Sequence, residues 1–303
     1  MVDTAPLSPI DPGNTPMRDF WGGSRGQSWV RRSVAYDGQL RAYTDALMDA
    51  LKPVPGEHCL DVGCGTGYTT RELAVEVTPA GAAVGVDLSH AMVAGARAAA
   101  DASGAERNRR PSFAVADVQV ADLAALNQSR AYNVIASRFG IMFFADPVAA
   151  FTNLASAAAP GARLGLVCWA ALQDNPWFTE PRDAALPILE HVLAAPPAEP
   201  PRDAPGPFSM ADPTRPTDLL ERAGWTNASV RTLTNDLYLG GPGSVESTVN
   251  FLTSGSAMAP TLHDHPELLE PMNVVLRKVL APHHDGTGVR YPATAHLVTA
   301  TRP

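Results

Sequence analysis

The chain has 303 residues, 31 of them acidic and 23 basic, for a formal net charge of −8. That length holds one large α/β domain or a core with a cap, and the acidic balance speaks against a nucleic-acid substrate, whose phosphates select basic surfaces. No apolar run approaches the ~20 residues that cross a bilayer. The opening MVDTAPLSPIDPGNTP lacks the basic and apolar regions of a signal peptide. Arg107, Arg109 and Arg110 form the densest basic cluster and read as a solvated loop. Cys59, Cys64 and Cys168 include no CxxC pair, which points to reduced thiols in the cytoplasm.

In chain order, the opening residues read as a loosely attached arm. Phe20, Trp21 and Trp29 begin the next stretch. Tyr36, Leu40, Tyr43, Leu47 and Leu51 fall near helical spacing and predict an amphipathic helix, which Pro53, Pro55 and Gly56 stop. Short apolar runs then alternate with helical patterns. Strands are expected near 58–62, 82–87, 112–116, 132–137 and 163–169, and helices near 68–77, 90–102, 120–127 and 147–158. Such alternation predicts a parallel sheet covered on both faces, with ligands outside the carboxyl ends of its strands.

Beyond Trp169 the pattern loosens. A helix is expected from Pro181 to Leu193, then a proline-rich surface loop or hinge from Ala194 to Pro207. Another helix is expected from Thr217 to Ala223, ended by Gly224. A strand within Thr226 to Leu239, helices over Ser244 to Ser254 and Pro266 to Leu280, and a last strand within Val289 to Thr301 complete the pass.

The strongest local signal is CLDVGCGTGYTTREL, Cys59 to Leu73. A strand runs into Gly63, Gly65 and Gly67 and then into a helix N-terminus, a turn that lets a ligand approach the main chain closely. The next strand ends in Asp87, about 20 residues beyond the loop, where a carboxylate reaches ribose hydroxyls in nucleotide-binding βαβ units. A dinucleotide fingerprint wants glycine where this chain has Tyr68. Glycine stands one place earlier, which argues against a nicotinamide-dependent oxidoreductase.

With Asp61 two places before its first glycine, this loop resembles motif I of the class I S-adenosylmethionine-dependent methyltransferases. VGVDLSHAMVAGA (Val84 to Ala96), FAVADVQ (Phe113 to Gln119), YNVIASRFGIMFFADP (Tyr132 to Pro147) and LASAAAPGARLGLVCW (Leu154 to Trp169) resemble the motifs that follow, in the same order. The ubiquinone/menaquinone-biosynthesis-like group of small-molecule methyltransferases is nearest in flavour, although Asn133 departs from its usual Asp. The resemblance implies a Rossmann-like doubly wound α/β sheet, mostly parallel with an antiparallel last strand. It also implies an N-terminal arm and lid helix at 1–51, a cofactor-binding core at 52–170, and a helical cap with the last strands at 171–303.

By the same resemblance the cofactor is S-adenosyl-L-methionine. Gly63, Cys64, Gly65 and Gly67 are expected around its methionine portion, with Ser137 meeting it and Trp29 closing over it. Asp61 is expected to orient the loop or the amino group, and Asp87 to take the ribose diol. Leu88, Met92, Ala116 and Val118 are expected around adenine, with Asp117 accepting from its amino group. Phe139, Met142 and Phe143 are candidates for the acceptor pocket.

No N/D-P-P-Y sequence follows the fourth strand, which points away from amino-group methylation. A small, largely apolar acceptor, aromatic or polyketide-like and methylated at oxygen or carbon, is therefore expected. His263 and His265 sit two apart, off a common helix face, and no residue set has convincing metal-ligand spacing. His191, His263, His265, His283 and His284 are candidate general bases; none is singled out. A protein of this fold that binds the cofactor and catalyses a cyclisation or rearrangement stays open, because fold does not fix the reaction. The chain is expected to work as a monomer or homodimer.

Overall fold

A computed structural model describes residues 9–106, 109–190, 192, 204–256 and 258–303. Seven strands form one sheet in the order β3-β2-β1-β4-β5-β7-β6. They are β1 (His58–Val62), β2 (Ala82–Asp87), β3 (Ser112–Val115), β4 (Tyr132–Arg138), β5 (Ala158–Trp169), β6 (Thr226–Tyr238) and β7 (Arg290–Thr301). β1 to β5 run parallel, with Cys59 opposite both Ala83 and Val134. β7 is antiparallel to β5 on one side and to β6 on the other. This is the Rossmann-like sheet with an antiparallel last strand that the motifs imply.

Burial explains the strand sequences. Cys59, Leu60 and Val62 of β1 and Val134, Ile135 and Ala136 of β4 are all fully buried. Central parallel strands read as continuous apolar runs because helices cover both faces. The edge strand β6 instead alternates exposed with less exposed residues along most of its length, as a strand with one wet face does.

Helices α5 (Tyr68–Val77), α6 (His90–Ala102) and α7 (Pro147–Ala157) follow β1, β2 and β4. Local chemistry starts two of them. The Ser89 side chain accepts from Met92 N–H, and the Asp146 side chain accepts from Ala149 N–H with Pro147 in the first turn. Past β5 come α8 (Pro176–Leu189) and α9 (Thr214–Arg222), then, between β6 and β7, α10 (Val245–Gly255), α11 (Ala259–Asp264) and α12 (Leu269–Leu280).

Several expectations need correction. The helix before β1 is four short ones, α1 (Thr15–Gly22), α2 (Ser24–Arg31), α3 (Ser33–Gln39) and α4 (Arg41–Leu51). Leu40, at φ −100° and ψ 6°, breaks the run, while α4 keeps the amphipathic face by burying Tyr43, Thr44, Leu47 and Leu51. The helix expected at 120–127 is a loop with one 3₁₀ turn at Ala125–Asn127. Its Ala121 carbonyl, and that of Val118 just before it, accept from Asn153 Nδ2 at 2.9 and 2.7 Å.

Helix α8 begins five residues before the expected start, because Pro176 can occupy its first turn. The arm from residue 9 onward is not loose: Asn14 is only 1% exposed. The arm before residue 9, His191 and most of the proline-rich stretch lie outside the described residues. Among the described residues, no helix is long and apolar enough to cross a membrane.

Candidate active site

The crevice is built on the bend between β1 and α5. Gly63 and Gly65 have φ of 64° and 55°, a left-handed region that glycine adopts without steric cost. A Cβ on Gly63 would lie 2.8 Å from Gly140 Cα, so the loop touches the segment after β4 backbone to backbone. A Cβ on Gly65 would meet only Trp29 Nε1, 3.9 Å away. The space over Gly65 is therefore open, and an indole covers it.

The expected cradle differs in one respect. Cys64 N–H donates to the Val86 carbonyl at 3.0 Å, and Gly65 N–H donates to Asp87 Oδ2 at 3.0 Å. These two amides hold the loop's own shape. Asp61 lies beneath it, buried, and accepts from Thr70 Oγ1 at 2.6 Å. That contact ties β1 to α5, the two elements on either side of the loop. Burial pushes the Asp61 carboxyl up to about 7, against the opposing pull of the Thr70 hydroxyl and the nearby Arg138.

Asp87 ends β2. Its Oδ2 accepts from Gly65 N–H and its Oδ1 from Ser89 N–H at 2.8 Å. A carboxylate offers about four lone-pair positions, so half remain for a diol. Burial raises its pKa, while the two backbone hydrogen bonds work the other way. Beyond it lies a pocket of about 270 Å³ whose walls include Leu88, Val115, Ala116 and Asp117, with Ile10 and Arg18 contributed by the N-terminal segment. Leu88 and Ala116 both line this pocket. Met92 and Val118, at 3% and 5% exposed, pack in the interior rather than on this wall.

Asp117 departs most from expectation. Its Oδ1 accepts from Asn14 Nδ2 and Gln119 N–H, both at 2.9 Å, and its Oδ2 from Asp11 N–H at 2.9 Å and Asn14 Nδ2 at 3.0 Å. Asn14 Oδ1 in turn accepts from Ala145 N–H at 2.9 Å. Sequence reasoning missed Asn14, although Asp-Pro-Gly-Asn at 11–14 is a set of turn residues. Ser137 also differs: its hydroxyl donates to the Val62 carbonyl at 2.7 Å and is fully buried, tying β4 to β1.

The N-terminal helices bring aromatics over the crevice. Trp29 stacks on Tyr36 at 3.8 Å and meets Trp21 edge-on at 5.8 Å. Trp21 touches Phe143 at 5.2 Å, and its carbonyl accepts from Ser89 Oγ at 2.8 Å. Arg138, also missed, follows Ser137 at the end of β4. It bonds Asp37 at 2.9 Å and Thr44 Oγ1 at 3.1 Å and lies over the Tyr68 ring. Two N-terminal helices are thereby fastened to the sheet.

A second aromatic group gathers at the ends of β4 and β5. Phe139, at φ 61°, stacks on Trp169 at 4.1 Å, and Tyr43 meets both edge-on. Trp177 of α8 stands 4.9 Å from Trp169. Asn175 holds it there: its Oδ1 accepts from Trp177 Nε1 and from Thr294 N–H. The three acceptor-pocket candidates therefore separate. Phe139 joins this group, and Phe143 joins Trp21. Met142 is 2% exposed, with its sulfur accepting from Trp169 N–H at 3.4 Å, so it fills core.

Three candidate histidines have partners: His283 meets Glu180 at 2.8 Å, His265 meets Glu267 at 3.2 Å, and His284 Nε2 meets the Gly243 carbonyl at 3.1 Å. Among the described residues, no group of His, Cys, Asp and Glu gathers as metal ligands.

A model of the methyltransferase domain matches residues 59–161. Nocamycin O-methyltransferase of Saccharothrix syringae is 31% identical over 238 residues, 77% of this chain and 79% of that relative. The chain belongs to the class I S-adenosylmethionine-dependent methyltransferases. Aklanonic acid methyltransferase of Streptomyces sp. (strain C5) is 30% identical over 118 residues, 39% of this chain and 50% of that one. Two further relatives are matched over only 39% and 42% of their length. Magnesium protoporphyrin IX methyltransferase of Synechocystis PCC 6803, solved with S-adenosylhomocysteine, shares the fold. It superposes with a TM-score of 0.51 at 16% identity, over 96% of this chain and 100% of that one. The residues present fit the family's cofactor: open space over Gly65, free acceptor positions on Asp87, and an apolar slot beside Leu88 and Ala116.

Proposed function

We propose that this methyltransferase transfers a methyl group from S-adenosylmethionine to an oxygen of a small, largely apolar acceptor, aromatic or polyketide-like. One observation carries the reading. The 238 residues aligned with nocamycin O-methyltransferase are about twice the length of the 52–170 core, so the likeness extends into lid or cap segments as well. The labour divides accordingly, with a lid at 1–51, a cofactor core at 52–170 and an acceptor cap at 171–303.

Bound in the crevice, S-adenosylmethionine supplies an electrophilic methyl group on a positively charged sulfur. The protein's own part is positional. Asp87 and the surface over Gly65 hold one end, and Trp21 and Trp29 keep bulk water out. Trp177, which stands against the Trp169–Phe139 stack, offers a flat apolar face that an aromatic acceptor fits. Holding two reactants in near-attack geometry contributes up to ~7–11 kcal/mol in well-oriented systems. A strong base is then not required, and none of the partnered histidines is assigned that role. Three unpaired, buried cysteines support a reducing compartment, the cytoplasm. The chain acts there on small molecules rather than nucleic acid, as a monomer or homodimer.

The test is methyl transfer from labelled cofactor to phenols, enols, carboxylic acids, nucleic acids and peptides. Label on an oxygen of a small apolar acceptor is the expected result. Efficient labelling of nucleic acid or protein, with every small molecule inert, overturns the reading.

A further inference from the structure

We infer that Asp117 is a positioning residue that clasps the N-terminal segment through Asn14, and so holds the Ile10–Arg18 cover of the purine pocket, rather than the residue that reads the purine's exocyclic amino group. The inference rests on the cofactor reading above and concerns how this chain holds the same ligand.

The argument is one of available acceptor positions. Asp87 ends β2 and Asp117 lies two residues past the end of β3, and both are acids flanking the crevice. An ionised carboxylate has about four lone-pair positions. Asp87 uses two of them on backbone N–H groups. Asp117 has four contacts between 2.9 and 3.0 Å, two on each oxygen. A purine amino group could bond there only by displacing Asn14, Asp11 or Gln119.

Asn14 has nowhere better to go. It is 1% exposed, and its amide bridges two loops, donating to Asp117 and accepting from Ala145 N–H. A buried amide stripped of such partners costs free energy. The pair therefore pins the turn at 11–14 across the ends of β3 and β4. Ile10 lies just before that turn and Arg18 one helical turn after its end, and both line the pocket shared with Leu88 and Ala116. Pinning the turn fixes both flanking residues over the slot. Asp117 thus acts on the ligand through the cover, while the wall beneath, Leu88, Val115 and Ala116, meets the purine face.

The experiment compares two probes on the full chain, S-adenosylhomocysteine and its 6-oxopurine counterpart S-inosylhomocysteine, by calorimetry and by stopped-flow tryptophan fluorescence. Asn14→Ala and Asp117→Asn should each speed probe dissociation roughly 10- to 100-fold, and each should leave the ratio of affinities for the two purines unchanged. Asn14→Asp, which sets like charges together, should be the worst single variant. Asn14→Asp combined with Asp117→Asn removes the like charges and restores one amide–carboxylate pair, so it should dissociate more slowly than Asn14→Asp alone, a rescue that a general loss of stability would not give.

Asn14→Ala alters only the arm, so it keeps the test usable if Asp117→Asn misfolds. If Asp117→Asn abolishes discrimination between the purines while Asn14→Ala dissociates at the wild-type rate, Asp117 reads the amino group and the clasp is overturned. Wild-type binding with no variant changing dissociation also overturns it. If wild type binds neither probe, the cofactor reading falls with it.

Discussion

The two sides of the crevice are built by different means. On the side proposed for the cofactor, the groups sit at a turn and a strand end and are placed by the local chain: Asp87 accepts from both Gly65 N–H and Ser89 N–H within one βαβ unit. At the ends of β4 and β5, the side proposed for the acceptor, Tyr43, Phe139, Trp169 and Trp177 come from four separate stretches of chain and meet through ring contacts. Backbone geometry makes the first side rigid and exacting. Packing makes the second adaptable, because apolar surfaces of similar shape can replace one another at modest cost. A family that keeps one cofactor and changes acceptors needs that division.

The sharpest way to break the comparison is at Gly65. Gly65→Val places a β-branched side chain at φ 55° in the space beneath Trp29. Binding of S-adenosylhomocysteine should disappear in calorimetry while circular dichroism still reports the sheet; normal affinity would mean the ligand lies elsewhere. Next in size, Asp87→Ala should weaken binding by ~1.5–3 kcal/mol, the range for hydrogen bonds to a charged group. Unchanged affinity in a folded variant removes Asp87 from the site.

Asp61 probes the rigidity of that side through pH. Its carboxyl titrates near 7 in the fold against an ordinary value of 3.8, because it is buried. Between those values the folded chain holds the proton more tightly than the unfolded chain. Stability from this group is therefore greatest at low pH, falls as pH rises from about 4 to 7, and is level above. Asp61→Asn cannot titrate, so it should gain on wild type by about 2 kcal/mol between pH 5 and pH 8, with ~1.4 kcal/mol per pH unit as the ceiling. Urea melts at both pH values check this, and a constant difference between the two proteins refutes it.

The smallest effect belongs to the acceptor side. Trp177→Ala should raise the acceptor KM by about 5- to 50-fold, in keeping with the loss of one aromatic contact and some buried area. Affinity for S-adenosylhomocysteine should stay within about twofold. If the variant instead loses cofactor affinity, the two sides are not separable.

What the sequence revealed follows the same line. Glycines at alternate positions and an acid about 20 residues later are local constraints on backbone shape, and the structure places Gly65 and Asp87 side by side, as such constraints require. The alternation of apolar runs placed the strands, since the central parallel strands are buried on both faces. Where a helix was expected at 120–127, the chain forms a loop whose Ala121 carbonyl, with that of Val118 just before it, accepts from Asn153, which is distant in sequence. Asn14 and Arg138 were passed over for a related reason. Their partners lie 103 and 101 residues away, in Asp117 and Asp37, and no spacing rule connects such pairs. Met142 looked like a pocket residue by its place after β4, yet its side chain is buried with its sulfur against Trp169 N–H.

The placement of β7 has a consequence for the order of assembly. It follows β6 in the chain but lies between β5 and β6 in the sheet. While the polypeptide is being made, β6 leaves the ribosome with no neighbour to bond, and the five parallel strands end in an open edge at β5. Only when Arg290–Thr301 emerge can both vacancies close together, with hydrogen bonds forming on both sides of one strand. Until then two unsatisfied strand edges are exposed, a template for association with other chains. The nascent protein thus passes through a sticky interval that ends with a single insertion. Its yield in a cell should depend on how quickly that last stretch is translated and on the chaperones present meanwhile.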